Sequence, residues 1–339
     1  MNSLFSKKTS LPYTLGFILL ASVATFFVTT HFSNKEANKI LELKQTSDAC
    51  VSKIERLEGY PFVKPLLFVD DICEGDRLAT IKQDVTTIIE NYKAYKGVTT
   101  ASVYIKEYER NEWMAVNEDE KYEPGSLFKV PILIAYLKMN EEAPGVLDKK
   151  LLYNQNFNID KIVAFKSKNI QIGTTYTIRE LLRYMIEYSD NNATALLNNN
   201  LKSDVLLKLF KDLDLKLPNI SAKQYFFTVR QYSLFMRAIY NATYLTIDDS
   251  EYAAELLSKC NFNDGIRKGV PASVKIAHKF GESGTPSEKQ LHETAIVYLK
   301  DKAYLLTVMT KGKDNVALSN LIGEISGVVY KELNNKLEK

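Results

Sequence analysis

Hydrophobic and polar positions change period several times along the chain, and the changes predict its elements. Leu11 to Phe32 carries no Asp, Glu, Lys or Arg. As a helix it would span a ~30 Å hydrocarbon core. Lys7 and Lys8 ahead of it set the orientation by the positive-inside bias. The pattern predicts a cytoplasmic tail at 1–10, a transmembrane signal anchor at 11–32 and an extracytoplasmic remainder. Ser22-Val23-Ala24 only weakly resembles a cleavage site, and the apolar run continues through Phe26, Phe27 and Val28, which favours an uncleaved anchor. Residues 33–76 read as a helical stalk or linker, with Ile40, Leu43, Cys50, Ile54 and Leu57 loosely spaced and Pro61 and Pro65 ending it.

From Leu78 the period becomes helical: Leu78, Ile81, Val85, Ile88, Ile89 and Tyr92 form one stripe, closed by Gly97. Ala101–Tyr108 and Trp113–Asn117 alternate as strands around a Glu109-Arg110-Asn111 turn. Ser126 to Met139 is helical, as is nearly all of Thr175 to Lys259, where Thr177 and Glu180 make a capping box. Strand patterns return at Val274–Phe280, Glu293–Leu299 and Ala303–Thr310, before an amphipathic helix on Leu318, Ile322, Ile325, Val329 and Leu333. Runs of one element type argue for an α+β fold. The simplest assembly over residues 77–339 is an antiparallel five-stranded sheet built from both chain ends and flanked by helices. An all-helical subdomain at about 130–262 is inserted into it.

Composition narrows the chemistry. Of 339 residues, 45% are apolar and 25% charged, which is ordinary for a globular chain, and the net charge of +3 implies no nucleic-acid partner. Three His (His31, His278, His292) and three Cys (Cys50, Cys73, Cys260) are too few and too scattered for a zinc site. At most one disulfide can form within the chain; three unrelated thiols are the expectation. The oligomeric state stays open, and no cofactor is implied.

Ser126-Leu127-Phe128-Lys129 opens a predicted helix with Ser and Lys at i and i+3, on one face. The helix dipole favours an oxyanion beside Ser126, and a nearby Lys can serve as general base. Ser189-Asp190-Asn191 ends the helix that starts at Thr177, and Lys279-Phe280-Gly281 lies on the predicted third strand, followed by Glu282-Ser283-Gly284. Each triplet alone reads as a cap or a solvated charge. Their order and their placement on the expected elements make the combination specific.

With these motifs the chain resembles the class A β-lactamases and penicillin-recognising serine hydrolases from about Leu78 to Leu333. Asn117–Tyr122, leading into Ser126, and Asn263–Pro271, ahead of the third strand, are similar to that family's segments as well. The resemblance implies that Ser126 is acylated and that Lys129 takes or relays its proton. Ser189 would pass a proton to the departing nitrogen, with Lys279 holding that hydroxyl. Asn191 would orient the substrate amide, with Gly281 and Ser283 lining the same strand. The backbone N–H groups of Ser126 and Glu282 would form the oxyanion hole. The implied ligand is a β-lactam, or a peptidoglycan peptide.

Two departures qualify this. Residues 192–278 contain no Glu-x-x-Leu-Asn pattern, which in class A enzymes activates the deacylating water. Asp212 and Asp214 read better as helix-surface charges, and Glu187, two residues before Ser189, is a further candidate near the site. Without that base a long-lived acyl-enzyme is expected. The strand motif also has Phe280 where the family has Thr or Ser, so a donor to the ligand carboxylate is missing. Glu282 would add a negative charge there if it turned inward. His278 and His292 read as structural histidines, and the Asn-x-Ser/Thr triplets at Asn192, Asn219 and Asn241 as chance. The expected activity is acylation of Ser126 and hydrolysis of a β-lactam-type amide with slow deacylation. The alternatives are a penicillin-binding-protein-like D-Ala-D-Ala carboxypeptidase or a catalytically silent cell-envelope binding domain.

Overall fold

The computed structural model describes residues 52–335 apart from 72, 158–164, 166–167 and 219–224. The predicted anchor at 11–32 lies outside them. Among the described residues no helix is long and apolar enough to cross a membrane. The chain divides into two units, Met1–Ser52 and Lys53–Lys339, and the architecture below is that of the second.

Strands β3 (Val98–Glu107), β4 (Trp113–Val116), β7 (Lys275–Gly284), β8 (Lys289–Tyr298) and β9 (Ala303–Gly312) form one sheet in the order β4-β3-β9-β8-β7. Every neighbouring pair is antiparallel, and β3 pairs with β9 from Val98↔Gly312 to Glu107↔Tyr304. Both chain ends thus contribute strands, as the sequence predicts. Turn residues allow the hairpin: Asn111, with φ of 59°, reverses the chain between β3 and β4.

Each face of the sheet is covered because alternate side chains emerge on opposite sides. On one face α1 (Ala79–Tyr95) and α9 (Asn315–Asn335) pack Ile81, Val85, Ile322 and Ile325 against Val103, Ile105 and Val308. On the other face Tyr104, Leu305 and Met309 meet the helical subdomain. That subdomain contains α2 (Lys129–Glu142), α3 (Ile178–Glu187), α4 (Asn191–Asn198), α5 (Ser203–Asp212), α6 (Val229–Tyr240) and α7 (Ile247–Ser258), and the short α8 (Ile266–Gly269) follows. The Thr177–Glu180 capping box is present as predicted.

Three sequence expectations need correction. The subdomain is not all-helical, since β5 (Lys150–Tyr153) and β6 (Thr174–Thr177) pair as a small hairpin. Over its described part, the expected helical stalk is instead a two-stranded sheet of β1 (Ser52–Arg56) and β2 (Leu66–Asp71). Its Leu57, Leu67 and Phe68 are buried in the core that the helices of the subdomain share with the five-stranded sheet, so tertiary burial overrides the helix-forming composition. Finally, Cys73 is disulfide-bonded while Cys260 is a free, buried thiol. The three cysteines are therefore not unrelated thiols.

Candidate active site

Ser126 lies in a 3-10 turn, Gly125–Phe128, that runs directly into α2 and so sets Ser126 and Lys129 on one helical rise. The approach to this turn is fastened by its backbone. Tyr122 exchanges N–H and C=O hydrogen bonds with Phe227, both at 3.0 Å. The Glu123 N–H donates to Gln290 Oε1 at 3.1 Å, and its carbonyl accepts from Ser283 Oγ at 2.7 Å and from His292 Nε2 at 3.0 Å. Thr310 N–H donates to His292 Nδ1 at 3.1 Å, which fixes the tautomer with the proton on Nε2. Burial pushes His292 down to about 3, so this clasp stays neutral at any working pH. The structural reading of His292 therefore holds, and Ser283, expected to line the substrate, also fastens this turn.

Two glycines let the turn lie against edge strand β7. Gly125 has φ of +51°, and a Cβ there would meet Glu282 O at 2.1 Å and Glu282 N at 3.0 Å. A Cβ on Gly281 would meet Pro124 O at 2.3 Å and Leu127 N at 2.7 Å. The turn from Pro124 to Leu127 is thereby held directly against Gly281 and Glu282 of β7. Gly125→Ala is expected to push the turn off β7 and lower acylation by about 100-fold. Unchanged acylation kinetics in a folded Gly125→Ala protein would contradict this geometry.

Lys129 is 3% exposed, and its Nζ lies 2.5 Å from Ser189 O, 3.1 Å from Ser189 Oγ and 2.8 Å from Asn191 Oδ1. Lys279 is fully buried and donates to Ser189 Oγ at 3.0 Å and Phe280 O at 3.1 Å. Burial draws the Lys279 ammonium below its ordinary value. Ser189 Oγ thus lies between two lysine nitrogens, and its own proton remains available to donate. The backbone is bent to present it: Ser189 has φ of 54°, an uncommon conformation for a residue with a Cβ.

Asp190 holds that bend, a role the sequence reading missed. It caps α4 through Oδ1, which accepts from Asn192 N–H at 2.8 Å and Ala193 N–H at 3.2 Å. Its Oδ2 accepts from Ile170 N–H at 2.7 Å. Burial raises its carboxyl above the ordinary range despite these three donors. The only sequence signal was an Asp placed just ahead of a helix.

Phe280 stacks on Phe262 at 4.2 Å, Phe165 meets both rings edge-on, and Lys279 Nζ sits 4.2 Å from the Phe280 centroid. The wall beside Lys279 is therefore aromatic. The Glu282 carboxylate accepts from Phe165 N–H and Asn315 Nδ2, each at 3.4 Å. Of the acidic candidates, Asp212 binds Lys208 and Tyr244, Asp214 is exposed, and Glu187 is buried on α3. His278 pairs with the buried Glu293 at 2.7 Å and with Cys260 O at 3.1 Å. This is structural, because Glu293 also holds Ile266 N–H. Among the described residues no group of His, Cys, Asp and Glu could hold a metal.

Lys129 and Lys279 thus converge on Ser189, and Lys129 follows Ser126 by three residues on the same helical rise. The chain belongs to the beta-lactamase enzyme family, whose model matches residues 80–333, and is a serine hydrolase of the kind that acts on β-lactam amides. Solved structures agree on the fold. A penicillin-G acyl-enzyme of a PBP-A mutant is 19% identical, with a TM-score of 0.63 over 76% of this chain and 97% of its own. A β-lactamase from Chitinophaga pinensis DSM 2588 is 19% identical, with a TM-score of 0.64 over 75% of this chain and 100% of its own. A class A β-lactamase from Mycobacterium abscessus is 18% identical, with a TM-score of 0.62 over 75% and 99%. No curated protein matches the chain.

Proposed function

We propose that the chain hydrolyses β-lactam amides through an ester on Ser126 that it releases slowly, from a catalytic domain held at the outer face of a membrane. The observation that carries the chemistry is Ser189 Oγ held between Lys129 and Lys279 at 3.1 and 3.0 Å. Lys129, entering the step as the neutral amine, takes the Ser126 proton as Oγ attacks the amide carbon. The tetrahedral oxyanion is received by the N–H groups of Ser126 and Glu282. The C–N bond then breaks as the Ser189 proton moves to the departing nitrogen, and the proton gained by Lys129 passes to the Ser189 oxygen beside the Lys279 ammonium. Asn191, fixed by Lys129, orients the substrate's side-chain amide. Support for slow release is the lack of Glu-x-x-Leu-Asn in residues 192–278. Support for membrane presentation is the uncharged run at residues 11–32 behind Lys7 and Lys8.

The same missing base favours a second reading, a penicillin-binding-protein-like carboxypeptidase that meets β-lactams as slow substrates and peptidoglycan peptides as natural ones. Rapid-mixing turnover of a chromogenic β-lactam tests the slow step. A burst of one product per enzyme followed by a slower steady rate is expected. Fast linear turnover with no burst contradicts slow release.

The aromatic wall gives a further expectation. Phe280→Thr replaces a ring with a hydroxyl next to Lys279, where a ligand carboxylate would lie. A hydrogen bond to a charged group contributes ~1.5–3 kcal/mol, so KM for an anionic β-lactam should fall by at least about tenfold. An unchanged KM would place the carboxylate elsewhere.

A further inference from the structure

The turn between β1 and β2 carries an apolar surface that the catalytic account does not use. Phe62 is 96% exposed, with Val63, Tyr60, Leu66 and Ile54 also open to solvent. The tip is stiff. Gly59 turns the chain at φ of +92°, Pro61 and Pro65 restrict their own φ, Leu57 N–H donates to Pro65 O at 2.9 Å, and Arg56 Nη1 donates to Lys64 O at 2.8 Å. Its base is equally fixed. Leu67 and Phe68 are buried, Asp70 is held by Arg237 and Lys106, and Trp113 Nε1 donates to Asp71 O at 2.7 Å.

We propose that this tip inserts into the lipid–water interface of the bilayer that carries the chain, fixing the orientation of the catalytic domain above it. The proposal rests on the anchor reading of residues 11–32. Only residues 33–51 separate that run from β1, and even fully extended they reach roughly 65 Å, so the tip stays within a tether's length of the bilayer. The composition matches an interface. Tyr60 and Phe62 sit with Lys64, and residues 56–67 carry Arg56 and Lys64 against the single acid Glu58, a net charge of +1 that complements an anionic lipid surface.

The test uses the full chain reconstituted into phosphatidylcholine–phosphatidylglycerol vesicles whose acyl chains are brominated near the headgroups. Phe62→Trp adds an indole at a fully exposed position. Trp113, 3% exposed, gives the baseline in the parent protein. The expected result is a bromolipid-dependent loss of the added emission and a blue shift, neither of which the parent shows. If the variant floats with the vesicles but its added emission is unquenched, the tip proposal is overturned and the anchor stands. If the chain does not float at all, the anchor reading fails and the tip proposal fails with it. Protection of the indole that appears only on cross-linking two chains assigns the surface to a second copy, which also overturns the proposal.

Discussion

Ser126→Ala is expected to abolish the covalent adduct with any β-lactam and to lower kcat/KM by about 10⁴-fold or more, with the fold unchanged. The reasoning is local. Ser126 is half-buried on the Gly125–Phe128 turn, and that turn is held by Gln290, Ser283 and His292 acting on Glu123 and by Tyr232 OH on Leu127 O at 2.8 Å. None of these contacts uses the Ser126 hydroxyl, so its removal deletes the nucleophile and leaves the scaffold. Lys129, Ser189 and Lys279 would remain hydrogen-bonded with nothing to activate. Intact mass after incubation with penicillin checks this, and an adduct of undiminished yield in the variant would move the nucleophile elsewhere.

The largest expected effect on stability is that of Arg237→Ala. Arg237 is 2% exposed at its side chain and grips Asp70 with both terminal nitrogens, Nη1 to Oδ2 at 2.8 Å and Nη2 to Oδ1 at 2.7 Å. Lys106 adds a third contact to Asp70 at 3.2 Å. Removing Arg237 leaves a half-paired carboxylate beside Phe68 and Tyr104, and breaking such a buried pair costs about 3–5 kcal/mol. Chemical denaturation should show this loss, and a change below ~1 kcal/mol would contradict it. The same cluster predicts an acid limb. Burial alone would raise the Asp70 carboxyl, but Arg237 and Lys106 hold it below its ordinary value of 3.8. A depressed folded pKa stabilises above the unfolded value, and that contribution is lost as pH falls through the folded one. Stability should therefore drop below about pH 4, and Asp70→Asn should flatten that limb.

Those two residues also show what the sequence could and could not disclose. The sheet was legible because β3, β8 and β9 are runs rich in β-branched and aromatic residues, and α1 and α9 each show one apolar stripe. The candidates Ser126, Lys129, Ser189 and Lys279 could be picked out because chemistry demands fixed residue types at fixed spacing, and the structure brings Lys129, Ser189 and Lys279 together. The β1–β2 hairpin was hidden because Ser52–Leu57 reads as helix former, and only contacts with the distant Arg237 and the core decide it. The β5–β6 hairpin was hidden because each strand has only four residues and half-exposed positions. The supporting shell of the site was hidden for a related reason. Asp190, His292 and Gly125 act through backbone groups and close approach, and such roles leave no side-chain signature in one sequence.

The central claim is that this site forms an ester on Ser126 and later hydrolyses it. Time-resolved intact mass of the chain with a chromogenic β-lactam tests it most directly. The account predicts a single adduct that maps to the peptide containing Ser126, appears within the burst and decays as the substrate is exhausted. No adduct and no turnover at saturating β-lactam would contradict it.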